Sequence, residues 1–398
     1  MKKSCYIFLL FLLILAGCTF DGLSNDEHQN DNDDNDIEDN IEYTFSTYQN
    51  MMIPLTKGGQ EYWTEIADPS VVRGDDGRFY IFSTLRRAFV SDDMCNWDLL
   101  TDSIIDRPTW ADSEEFGIPD VWAPDAIKIN DKWIYYYSLA AWGKPSAGIG
   151  YAVADNIAGP YTDMGLLFNT DDVEINGLID PQPIIDDGRV FMLVGSFHGN
   201  YLVELTDDGM GLLGGADYQK ENKVLVAGIP LAESIFNNSY YEGGYIVKKD
   251  GYYYFFGSAG SCCEGQGSTY RVYVGKAASL TGPYYAPDGR NLASNNSGST
   301  IGKLALWCPP SNEKQTAGPG HNSILIDDAG DYWMIYHGYG ELDNFKTRHL
   351  FMDKLSWGED GFPYVSYTYI NDVDETKEVN FKPSYQIELD GPRFILSK

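Results

Sequence analysis

Five residues of this chain could meet and do acid–base chemistry: Asp68, Asp125, Asp180, Glu242 and His321, spaced 57, 55, 62 and 79 residues apart. Each opens the same kind of phrase: a polar residue, a short apolar run, a turn, then an aromatic run. If the phrase is a structural repeat, the five side chains occupy one position in each unit and converge. Carboxylates crowded into a low-dielectric space repel one another unless water, a cation or a shifted pKa relieves the charge. Pure architecture has little use for such a cluster. Hydrolysis of a glycosidic bond does, because it needs one carboxylate to activate water and one carboxylic acid to protonate the leaving oxygen, with a third negative group to keep the acid protonated.

The elements that would position these side chains are legible in the phrase itself. In the first copy Asp68-Pro69-Ser70-Val71-Val72 is followed by Asp76-Gly77 and Phe79-Tyr80-Ile81-Phe82-Ser83; in the third, Asp180-Pro181-Gln182 is followed by Asp187-Gly188 and Val190 to Ser196. Two β-rich runs joined by Asp-Gly predict a hairpin, because that dipeptide accepts the positive φ of a tight turn. A second pair of strands follows in each unit, as at Gly148 to Ala154 and Tyr270 to Lys276. Four strands in each of five repeats predict an all-β, five-bladed β-propeller, since one such sheet cannot bury both faces and must pack on its neighbours. Two β-sandwich domains would leave the recurring phrase unexplained.

Bulk properties narrow the partners. The formal charge of −31 over 398 residues excludes nucleic acid and anionic membrane surfaces as natural ligands, while 29 Tyr and 9 Trp suit either strands or stacking on sugar faces. Lys2-Lys3, the apolar run Ile7 to Leu15 and Leu15-Ala16-Gly17-Cys18 have the three-part form of a secretory signal, too short to span a membrane. The last four residues look like a lipobox, which would make Cys18 the lipidated first residue. Residues 19–43 carry ten acidic side chains and no Lys or Arg, the composition of a solvated tether. The predicted organisation is therefore a lipoprotein signal at 1–17, an acidic tether at 18–45 and the propeller at 46–398, secreted and held at the outer-membrane surface as a monomer. Cys95, Cys262, Cys263 and Cys308 form neither a disulfide framework nor a zinc spacing.

Several phrases carry a family resemblance that covers residues 60 to 370. Tyr252 to Phe256, then Ser261-Cys262-Cys263-Glu264-Gly265, then Ser268 to Lys276, is similar to the double-Cys segment of arabinanases; Trp122-Ala123-Pro124-Asp125, Ile179-Asp180-Pro181, Gly195-Ser196-Phe197, Gly318 to Asn322 and Asp360 to Pro363 agree with it. The chain resembles family 43 glycoside hydrolases, and among them the arabinan endo-1,5-α-L-arabinosidases. The resemblance implies an inverting hydrolase of α-1,5-linked arabinan, with Asp68 as general base, Asp180 as the residue that orients the acid and raises its pKa, and Glu242 as general acid. It demotes Asp125 to a structural or rim role. It also implies that His321 holds a cation, usually calcium, together with waters. Trp142, Trp122 and His198 are the predicted sugar contacts; for Trp122 a place in the core is the competing reading.

Two positions depart from the arabinanase pattern: His198 stands where Trp is usual after Gly-Ser-Phe, and Gly177 where Asn is usual three residues before Asp180. Both bear on endo against exo cleavage. An exo-acting α-L-arabinofuranosidase or β-xylosidase, or a non-catalytic glycan-binding propeller, are the other readings; a pure binder would have no need of the intact Asp68, Asp180 and Glu242.

Overall fold

A computed structural model describes residues 43–48, 53–110, 120–141, 146–230, 241–294, 302–306, 316–365 and 389–395. Five sheets follow one another along the chain, each built on four consecutive antiparallel strands, and form a five-bladed β-propeller; the first sheet is extended at its outer edge by Leu55–Lys57, which runs parallel to its neighbour, and by Gln60–Glu61. Their innermost strands are Ser70–Arg73, Asp120–Ile129, Gln182–Asp186, Glu242–Lys249 and Thr316–Ile326. Second strands are Phe79–Ser83, Lys132–Ala140, Arg189–Val194, Tyr252–Ala259 and Tyr332–Gly340. The hairpins between them turn as the sequence predicts: Asp187-Gly188 and Asp250-Gly251 both have positive φ at the two central residues.

The aromatic second strands explain why the blades stack. Alternate residues point to opposite faces, so Tyr80 and Phe82 enter the core shared by blades 1 and 2, with Val121, Tyr135 and Tyr137. Phe79 and Ile81 enter the core shared by blades 5 and 1, with Trp333, Ile335, Leu350 and Met352. Three further clusters fill the remaining interfaces.

Ring closure needs no exchanged strand, since blade 5 completes its sheet with its own Pro363–Val365. The join with blade 1 is made by the shared core, by Arg73 paired with Asp328 at 2.5 Å, and by Ile53 and Ile66 donating backbone N–H groups to Leu350 and Arg348. Outside the blades, Tyr43–Tyr48 pairs with Leu389–Ile395, so a strand begins within the stretch read as tether.

Candidate active site

The channel at the propeller's centre is lined by three successive residues from each blade's innermost segment, which in blades 1 and 3 begins two residues before the strand: Asp68 to Ser70, Ala123 to Asp125, Asp180 to Gln182, Gly243 to Tyr245 and His321 to Ser323. The first of each trio has left-handed backbone: Asp68 φ 56°, Ala123 40°, Asp180 62°, Gly243 56° and His321 51°. Such a residue acts as a bulge that interrupts the ladder and re-aims the side chains around it. The pairing register breaks there in blades 2, 4 and 5.

This corrects the alignment drawn from sequence. Asp68, Asp180 and His321 are structurally equivalent, but Glu242 stands one residue before its blade's left-handed position and Asp125 two residues after. Polarity alone aligned all five; backbone geometry does not. Trp122 shares Glu242's position, since each pairs in register with a serine of the second strand, Ser138 and Ser258.

Each left-handed N–H is held by the preceding blade. Asp68 donates to His337 Nδ1 at 3.0 Å, Ala123 to Thr84 Oγ1 at 2.9 Å and Asp180 to Ser138 Oγ at 2.9 Å. Gly243 donates to Ser196 Oγ at 3.2 Å, and His321 to Ser258 Oγ at 2.8 Å. These five acceptors sit in the last few residues of each second strand or just past it, so the device runs round the whole ring. Sequence reasoning missed them, although the repeated phrase ends on Ser or His in every copy. Two hydroxyls act twice: Thr84 also donates to Asp68 Oδ2 and Ser196 to Asp180 Oδ2, both at 2.5 Å.

Asp68, Asp180, Glu242 and His321 meet at one end of this channel. Asp68 Oδ1 lies 3.0 Å from His321 Nδ1. Burial opposes its charge, but His321 and Arg348 outweigh that and hold the carboxyl well below the usual carboxylate range. Asp180 is raised, first by burial and then by Asp68, against the pull of His321 and the Ser196 hydroxyl. Glu242 is pushed up to about 7, by burial first and then by Asp180 and Asp68, with His321 and Tyr270 pulling down. His321 is carried up to about 9, because the three carboxylates outweigh the burial of its ring. The result is an ionised Asp68 in the same cluster as a Glu242 carboxyl that keeps its proton near neutrality. Gly243 is obligatory here, since a Cβ at its φ of +56° would lie 2.8 Å from His321 Cγ.

Asp180, Glu242 and His321 each place a donor atom within 4.8 Å of the others, a set of oxygens and one imidazole that suits a divalent cation. Asp125 faces the same channel one layer away, accepts hydrogen bonds from Ser70 Oγ and the Ala126 N–H, and is pushed up to about 7 by burial. It touches none of the other three carboxylates through a hydrogen bond.

Trp122 is half-buried and packs against the core between blades 2 and 3. His198 is half-buried, and a Cβ on Gly177 would stand 3.4 Å from its ring. The two departures from the arabinanase pattern are thus spatial neighbours. Cys262 and Cys263 are joined to each other in a disulfide, and Cys95 is free and buried. Trp142, Cys18 and Cys308 lie outside the described residues.

The sequence matches the model of Glycosyl hydrolases family 43 over residues 63–363. It is 32% identical to an extracellular exo-α-(1→5)-L-arabinofuranosidase of Cellvibrio japonicus, over 76% of this chain and 86% of that protein. It is 27% identical to an extracellular endo-α-(1→5)-L-arabinanase of Thermotoga petrophila, over 74% and 70% respectively. Among solved structures, the α-L-arabinanase of Cellvibrio cellulosa superposes with a TM-score of 0.64 at 30% identity, covering 76% of this chain and 96% of that one.

Proposed function

Because this chain belongs to the family 43 glycosyl hydrolases, we propose that it is an inverting hydrolase of α-1,5-linked L-arabinan, acting within the chain. The observation that carries the mechanism is the divergence of proton affinity inside one buried cluster: Asp68 held far down and Glu242 up to about 7. Asp68 stays ionised and serves as the general base that takes a proton from the attacking water. Glu242 enters with its proton and gives it to the departing glycosidic oxygen. Asp180 supplies the negative charge that keeps that proton in place, and its Oδ2 accepts the Gly243 N–H at 3.2 Å, which fixes the backbone next to the acid. Trp122, His198 and Trp142 are the sugar contacts.

His321 in its unprotonated form would hold a divalent cation, calcium by the hardness of the surrounding oxygens, and the cation would then take over from the imidazolium the offsetting of the carboxylate charge. Cation and proton compete for this imidazole, so occupancy falls as the ring becomes protonated.

A second reading, exo cleavage, is favoured by the exo-acting Cellvibrio japonicus relative and by the altered pair Gly177 and His198. The relatives named extracellular support a secreted protein; the Leu15 to Cys18 phrase supports anchoring through a lipid on Cys18.

The decisive experiment is a time course of products from linear and branched arabinan, with and without chelator. Oligosaccharides released first, and a Glu242→Gln variant slowed by about 10³-fold or more, are the expected results. Monosaccharide alone from the earliest time points would replace endo with exo. Binding without any release of reducing ends would overturn hydrolysis itself.

A further inference from the structure

Trp63 is 53% exposed and Leu342 65% exposed; Trp63 stands five residues before Asp68, and Leu342 two residues past the second strand of blade 5, at the end where that blade's innermost strand begins. Other large apolar side chains exposed among the described residues, such as Ile185, Tyr252 and Tyr285, lie at the far end of the blades, or, like Met164, on an outermost strand. Isolated exposed apolar residues need no explanation. This pair differs in being built around one buried support.

The chain reaches Trp63 after pairing Leu55–Lys57 with the outer strand Trp97–Thr101, and then crosses the face inward to Asp68. That crossing is fastened by the Ile66 N–H to Arg348 at 2.9 Å, by Arg87 to the Glu65 carbonyl at 3.0 Å and by Arg348 to the Glu65 carboxylate at 2.8 Å. Trp63 rests edge-on against His349, with ring centroids 5.6 Å apart and planes at 89°. His349 is buried, its Nε2 3.2 Å from Asp343 Oδ2, and that carboxylate accepts the Thr347 hydroxyl at 2.6 Å. Leu342 precedes Asp343 in the same short turn, Glu341–Asp343. A solvent-facing indole therefore rests on a buried His–Asp–Thr support, and the short turn that supplies its aspartate also carries the solvent-facing Leu342, on the route from blade edge to Asp68.

We infer that Trp63 and Leu342 form a distal sugar-binding subsite on the rim of blades 1 and 5, which grips arabinofuranose units of the polymer away from the bond being cut. The inference rests on the arabinan reading above. A flat apolar ring held rigidly binds the C–H face of a sugar with little entropy lost on binding. Contacts remote from the reacting bond add uniform binding, which appears in KM rather than kcat.

The test compares linear α-1,5-arabinan with arabinotriose. Trp63→Ala should raise KM for the polymer about tenfold with kcat within about twofold, so the polymer-to-trisaccharide ratio of kcat/KM drops by about the same factor. Trp63→Phe should recover most of it, and Leu342→Ser should cost about threefold. An unchanged polymer KM, or equal losses on both substrates together with a lower Tm, would reduce Trp63 to a packing residue and overturn the inference. Retardation in an arabinan-containing gel separates this from failure of the hydrolase reading. The Glu242→Gln variant should be retarded and its double variant with Trp63→Ala should not, whatever the wild-type turnover proves to be; equal retardation of the two would also overturn it.

Discussion

Blades 1 and 3 present an aspartate in almost the same setting. Asp68 and Asp180 both precede proline, both take left-handed backbone at φ 56° and 62°, and both accept a hydroxyl at 2.5 Å from their own blade. Each N–H is held by the blade before, by His337 at 3.0 Å and Ser138 at 2.9 Å. Yet one carboxyl is driven down and the other up. The difference comes from outside each aspartate's own blade: Asp68 sits 3.0 Å from His321 and feels Arg348, while Asp180 is buried beside Glu242 and sees Asp68 as a like charge. The repeat sets where a carboxylate stands, and the neighbours brought in from blade 5 set what it can do.

The largest effect that could break this division of labour is amide substitution of each aspartate. Asp68→Asn should cost about 10³- to 10⁴-fold in kcat, since no other ionised carboxylate is placed to take the proton. Asp180→Asn should cost about 10²-fold and also move the alkaline limb of the pH–rate profile to lower pH, because Asp180 helps carry Glu242 up to about 7. Equal losses with an unmoved limb in both variants would show that the two aspartates are not divided in this way.

The hydroxyls beneath them sharpen the comparison at smaller scale. Thr84→Val and Ser196→Ala each remove one donor to a carboxylate and one acceptor of a backbone N–H, at a cost of about 1–3 kcal/mol in stability and about tenfold in rate. Their pH profiles should differ. Without Ser196 the Asp180 charge is less favoured, its push on Glu242 weakens and the alkaline limb moves down; without Thr84 that limb stays where it is. Profiles that shift alike in the two variants would tie both hydroxyls to one carboxylate system.

What could be read in the sequence follows the same boundary. Asp-Gly hairpins, aromatic second strands and the five-fold phrase are local patterns, and they specified blades and channel. Glu242 and Asp125 were misaligned because a left-handed bulge shifts side-chain direction without changing residue type. Ser138, Ser196, Ser258 and His337 stood in plain view at the end of their phrases, and Thr84 one residue past Ser83, but a hydroxyl or imidazole there has no chemistry until the next blade's N–H arrives. Arg348 reaches Asp68 from the far end of the sequence, a relation no local pattern carries.

The smallest effect concerns Asp125, which marks the limit of the comparison: a channel carboxylate with burial but no cationic neighbour. Burial pushes it up to about 7, against the hydrogen bonds from Ser70 and Ala126. A folded-state pKa raised above the ordinary value means that its contribution to stability is complete below about pH 4 and is lost as pH rises through about 7. Asp68, with a depressed pKa, behaves oppositely: its contribution is present above about pH 4 and is lost as pH falls. Asp125→Asn keeps an acceptor for both hydrogen bonds and removes the charge. It should therefore match the wild type in thermal stability near pH 4, exceed it by about 3–6 °C in Tm at pH 8, and leave kcat within about twofold. Thermal melts across pH 4 to 8 decide the point. A variant that is no more stable than wild type at pH 8 would mean that Asp125 is charged and relieved within the channel, and that burial alone does not separate it from Asp68.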